Sequence, residues 1–168
     1  MRGSINKVSK NAITIQQLQV ACRHVEEMIG AGVTENLAIR TLELFADVHA
    51  KCHMGGKGQT SPHHVGQVEL WSVAAIKVRD ATPQAKPRDA LRVEHGTPRR
   101  SFARMILALH RKDNLNEKTV KELVERYWKL AVITLDEDQR LNKKARSKMF
   151  DTPEERWMAA GIEFPPIT

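Results

Sequence analysis

Apolar positions recur along most of this chain with a helical spacing, and the stretches between them carry the residues that start and stop helices. From Thr14, the segment "TIQQLQVACRHVEEMIG" opens with Thr-x-x-Gln, a capping box in which the hydroxyl and the amide satisfy unpaired backbone groups, and it closes at Gly30 and Gly32. That predicts a first helix. A second start at Thr34 leads into Leu37, Thr41, Leu44, Phe45 and Val48, spaced as one stripe that ends before Gly55 and Gly56. Ser61 followed by Pro62 is a good cap and first-turn pair for a third, well-buried helix running to Asp80 and carrying Trp71.

Residues 80–90 hold two prolines and no apolar periodicity, so they read as a linker. Beyond them the pattern changes. The run "ALRVEH" reads as a strand, Thr97-Pro98 starts a helix to about Arg111, and Asn116 starts another to about Leu130. The β-branched run "AVIT" is a second short strand able to pair with the first. Thr134 with Glu137 forms a capping box for a further helix, and Thr152-Pro153 starts a last short one with Trp157. The expected fold is mainly α with a small antiparallel β-ribbon. Residues 1–79 form a helical region, 80–90 a linker, and 91–168 a ββα-like unit with inserted helices, all within the size of one domain. Trp71 and Trp157 are expected as core anchors.

Composition then narrows the classes. With 168 residues, 41% of them hydrophobic, the chain can bury a real core. Its +7 charge and pI near 9.6 suit a polyanionic partner, and the excess is spread over both halves rather than gathered in a tail. Two cysteines, Cys22 and Cys52, make no disulfide framework and no C-x-x-C pair. The polar start has no signal-like apolar region, and no run is long enough to cross a bilayer, so the expectation is a cytoplasmic protein with no membrane partner.

Three groups of residues carry candidate chemistry. The loop "HAKCHMGGKGQTSPHH" gathers His49, Cys52, His53, His63 and His64, ligands of the right type in a spacing that matches no standard zinc pattern. Its "GGKG" lacks the spacing of a P-loop. A basic surface is predicted from Arg99, Arg100 and Arg104 on one helix and Arg140, Lys143, Lys144, Arg146 and Lys148 on another; it would neutralise phosphates without reading sequence, although charged helix faces are often only solvated. The third group lies on the helix after "AVIT", where Asp138, Leu141, Asn142, Ala145 and Met149 share a face, placing an acid and an amide on an apolar stripe. If the two strands pair and this helix packs across them, Asp138 and Asn142 face Glu94 and His95. A hydrogen-bonded core pair is the plainer account.

At these residues the chain resembles the HNH, or ββα-metal, nuclease superfamily. "VEHGTP" is similar to that family's first strand and "VITLDEDQRLN" to its second strand and helix, over residues 91–149. The resemblance implies a metal-dependent endonuclease in which His95 is the general base and Glu94, Asp138 and Asn142 hold a divalent cation, Mg or Mn, through oxygen. It also implies that Arg99 and Arg100 hold a DNA or RNA backbone, and it gives the wider basic surface, with Arg104, Lys143, Lys144 and Arg146 as further nucleic-acid contacts, a purpose. The pattern departs from the family in lacking the helix's final histidine, the asparagine between the strands and a zinc knuckle, and about thirty-five residues separate the strands. The alternative class is a non-catalytic helical protein that binds nucleic acid, a protein partner or a second copy of itself. There Glu94 would be an ion-pair partner and His95 a satisfied strand-end histidine.

Overall fold

The computed structural model describes residues 12–53, 68–81, 87–146 and 148–166. The chain is mainly helical with a small three-stranded mixed sheet. Its helices are α1 (Ile15–Gly30), α2 (Glu35–Ala38), α3 (Arg40–His53), α4 (Val73–Ala81), α5 (Pro87–Ala90), α6 (Arg99–Arg111), α7 (Glu117–Tyr127), α8 (Leu135–Ala145) and α9 (Pro153–Ala159), and its strands β1 (Leu70–Trp71), β2 (Leu91–His95) and β3 (Leu130–Thr134). Among the described residues no helix is long and apolar enough to cross a membrane.

Four of the capping signals form as their residue types require, among them Thr152, whose hydroxyl accepts from the Glu155 amide at the start of α9. The Thr14–Gln17 and Thr134–Glu137 boxes are closed in both directions, and Asn116 caps α7 together with Thr119. Thr34 makes no side-chain cap. On α2 and α3 the stripe that packs inward is Ala38, Ile39, Leu42, Ala46 and Ala50, whereas Leu37 and Leu44 are each 60% exposed. Of the predicted stripe, Phe45 packs half-buried against the core while Leu37 and Leu44 face outward, because the inward face is taken by the smaller alanines with Ile39 and Leu42.

The predicted ribbon is present: β2 pairs antiparallel with β3, Val93 opposite Val132 and Glu94 opposite Ala131. A third strand, β1, runs parallel on the other side of β3, so the order is β1-β3-β2. This corrects the third helix, because Trp71 lies in β1 and the helix begins only at Val73. Ser72 explains the break: its hydroxyl accepts from the Ala75 amide and donates to Glu137, fixing a helix start there. The predicted start at Ser61-Pro62 lies outside the described residues. The expected linker is partly helical as well, since α5 occupies residues 87–90.

The two helices inserted between β2 and β3 turn back onto the N-terminal ones. Leu18, Cys22 and Val25 of α1 share one core with Leu42 of α3, Phe102 and Ile106 of α6, Val124 of α7 and Trp128. Burying each such leucine or phenylalanine stabilises the fold by about 1.5–3 kcal/mol. A second core under the other part of the sheet joins Ile133, Leu141, Ala145, Trp157 and Ile162. Gly96 sits where β2 meets α9; a Cβ there would lie 2.3 Å from Pro153 Cβ and 3.0 Å from the Trp157 ring, so only glycine fits.

Candidate functional site

Glu94 and His95 end β2, an edge strand of the sheet, and each is engaged from a different helix. On one side, Arg156 of α9 is 4% exposed and sends Nη1 to Glu94 Oε1 at 2.7 Å and to the His95 carbonyl at 3.0 Å, with Nε on the Ala145 carbonyl at 3.2 Å. On the other side, His95 Nε2 lies 3.1 Å from Asp47 Oδ1, and Lys51 Nζ donates to Asp47 Oδ2 at 2.6 Å. The His95 ring stands edge-on to Trp128, centroids 5.0 Å apart. β2 is thus tied to α9 by its acid and to α3 by its histidine.

The electrostatics follow from burial and these partners. Burial raises the Glu94 carboxyl above its ordinary range; Arg156 and His95 oppose that rise, and Asp138 adds to it. For Asp47, burial pushes upward, but hydrogen bonds from His95 and Lys51 outweigh it and hold the carboxyl below the usual value.

The implied metal centre can be tested against these side chains. Asp138 is close enough to Glu94 to raise its pKa, but the two do not form a ligand cluster. A guanidinium already occupies Glu94, and Asn142 is exposed, donating its Nδ2 to Asp138 Oδ1 at 3.2 Å. Among the described residues no three His, Cys, Asp or Glu side chains are gathered to hold a metal. As arranged, these groups do not fit a divalent cation. The acid on the burying face of α8 is Glu137, 3% exposed, not Asp138; its Oε2 accepts from the Ser72 and Thr134 hydroxyls and the Thr134 amide. Asp138 is half-buried, and Met149 lies beyond the end of the helix and is 49% exposed.

Comparison with protein-family models, curated proteins and solved structures finds no match to this chain.

The predicted basic surface divides in two. On α6, Arg100 pairs with Glu43, Arg104 with Glu35 and Asn36, and Arg111 with Glu26 and Glu35, so this row pins α6 onto α1, α2 and α3. Arg99 is exposed and makes no ion pair among the described residues. At the end of α8 the picture is reversed. Arg140 reaches Asp136 and the Gly161 carbonyl, but Lys143, Lys144, Arg146 and Lys148 are exposed and form no ion pair among the described residues. Three of them, Lys143, Lys144 and Lys148, border an open groove of about 730 Å³ whose other walls are Met149, Phe150 and Ala159.

Of the histidine loop, His49, Cys52 and His53 fall on the last turns of α3, while His63, His64 and "GGKG" lie outside the described residues. Trp157 is buried as expected; Trp71 is only partly so, donating Nε1 to the Val68 carbonyl beneath Arg79. Sequence reasoning missed Asp47, Lys51 and Arg156. The first two had a signal, an acid and a lysine four apart beside Ala46 and Ala50 on a burying stripe. Arg156 had none beyond its place next to Trp157.

Proposed function

We propose that this chain is a non-catalytic nucleic-acid-binding protein that holds a phosphate backbone in the groove at the end of α8. The observation that carries the reading is the sorting of the cations: Arg100, Arg104 and Arg111 of α6 are answered by carboxylates, while Lys143, Lys144 and Lys148 are left without an ion pair among the described residues beside an apolar floor, with Arg146 next to them in the chain. Unpaired cations beside a concave surface complement a polyanion, and Met149 and Phe150 offer the apolar contact that a base or sugar uses. Binding of this kind positions a strand without specifying its sequence.

The second reading, a metal-dependent endonuclease with His95 as general base, draws support from the order β2, β3, α8 and from the nearness of Asp138 to Glu94. It requires Arg156 to release Glu94.

Fluorescence anisotropy with labelled single-stranded and duplex DNA and RNA tests the first reading. Lys144→Glu with Lys148→Glu should weaken binding at least about tenfold and lower the salt slope by roughly one per lost phosphate contact. Unchanged affinity and slope in this variant would sink the groove as the interface. Incubation of the same nucleic acids with Mg²⁺, Mn²⁺ or EDTA, beside His95→Ala, tests the second: metal-dependent cleavage lost in the variant would establish it.

A further inference from the structure

At the C-terminal end of α3, His49 and His53 stand one helical turn apart on the same face, ring centroids 6.4 Å apart and planes 22° from parallel. His49 Nδ1 lies 2.6 Å from the Ile13 carbonyl oxygen. A carbonyl only accepts, so Nδ1 carries the proton and Nε2 keeps its lone pair. Metal-binding imidazoles are oriented in this way, with one ring nitrogen donating to a carbonyl and the other free to ligate. Burial lowers the His49 pKa; the Ile13 contact opposes this and His53 adds to it, so the neutral, ligating form of the ring is favoured. His53 is exposed and can turn toward its neighbour. The Glu117 carboxylate acts on His49 from the start of α7, contributing a negative field that favours a cation.

We propose that His49 and His53 form a two-histidine clamp for a borderline divalent transition ion such as Zn²⁺, bound through Nε2 of His49 and a ring nitrogen of His53. Imidazole is the ligand type this class of ion prefers. No third His, Cys, Asp or Glu completes a cluster with them among the described residues, so the clamp is proposed on these two imidazoles alone. Because His49 is anchored to Ile13, an ion held there braces the last turn of α3 against the segment entering α1. This site is independent of the groove on α8 and of the nuclease reading.

The test is a titration of the full chain with Zn²⁺ at neutral pH, by calorimetry with a competing chelator, beside His53→Ala and a His63→Ala, His64→Ala double variant. His53→Ala removes an exposed ring and should leave the fold intact by circular dichroism. Saturable Zn²⁺ binding is expected, weakened about tenfold or more by His53→Ala and unchanged in the double variant. In nitrogen-resolved imidazole spectra, Nε2 of His49 should shift on Zn²⁺ addition while Nδ1 stays protonated. Absence of Zn²⁺ binding by the parent chain, full retention in His53→Ala, or loss only in the double variant would overturn the clamp.

Discussion

α6 and the end of α8 are both basic, yet their cations meet opposite fates. On α6 the guanidinium groups of Arg100, Arg104 and Arg111 each reach a carboxylate, whereas the four cations at the end of α8 reach none among the described residues. Locally the two stretches look alike. The carboxylates that distinguish them are remote, lying 57, 69 and 85 positions from their arginines. Tertiary structure thus decides whether a basic helix face serves the fold or is left for a partner. Four comparable charges on α8 would otherwise be only a solvated face.

The buried extreme of the answered cations lies at α9. Arg156 is the most deeply answered cation, with Glu94 and two backbone carbonyls around its guanidinium. Arg156→Ala would leave the Glu94 carboxylate without its counter-charge and two carbonyls without a donor. The expected loss is about 3–5 kcal/mol, read as a lower urea midpoint at unchanged slope. Adding Glu94→Gln to the alanine variant should restore part of it, since the uncompensated charge is then gone. A midpoint for Arg156→Ala equal to the parent's would mean that Glu94 is not committed to Arg156, and the acid would be free for the catalytic reading.

Asp47 carries the same logic to the other side of β2, at smaller scale and with a pH signature. Its folded pKa is depressed below the ordinary aspartate value, so its stabilisation is fully present above that value and is lost as pH falls through the lower folded value. Asp47→Asn should cost about 1.5–3 kcal/mol at neutral pH, where Lys51 and His95 lose a charged acceptor. The difference in Tm between parent and variant should then shrink as pH falls below about 4. Glu94 runs the opposite way: its folded pKa is raised from 4.5, so its contribution is largest in acid and declines as pH rises through the folded value. A parent-to-variant gap that stays constant from neutral pH to pH 3 would show that Asp47 is not the group titrating there.

These residues also mark how far the chain could be read from its sequence. Capping chemistry is local, so Thr14, Asn116, Thr134 and Thr152 announce their helices, and the β2–β3 ribbon follows from the short run "ALRVEH" and the β-branched run "AVIT". What failed depends on distant atoms. Trp71 joined a strand because β3, sixty residues later in the chain, offers an edge to it. The stripe at Leu37 and Leu44 looked like the core face because periodicity cannot say which of two apolar faces finds a neighbour. At the candidate site, Glu94 and His95 were recognisable as a strand-end pair, but the groups that engage them, Arg156 and Asp47, lie 62 and 48 residues away. The helical wheel points to Asp138 as the inward acid of α8, but it does not show that Ser72 lies under Glu137, which is the one buried.

The smallest effect tests the surface half of the comparison. Arg104 is 44% exposed and its partner Glu35 39%, so water screens their attraction and two long side chains lose freedom to make the pair. Arg104→Gln should therefore shift stability by no more than about 1 kcal/mol, less at high salt, and should leave nucleic-acid affinity unchanged because this charge is already answered. The groove lysines should behave in the converse way. With no intramolecular partner to lose, Lys144→Glu and Lys148→Glu should leave the urea midpoint near the parent's while the affinity falls. If Arg104→Gln weakened nucleic-acid binding as strongly as the lysine variants do, the ion pair with Glu35 would not be withholding that charge from a partner. The interface would then extend over α6, and the division between answered and unanswered cations would no longer locate it.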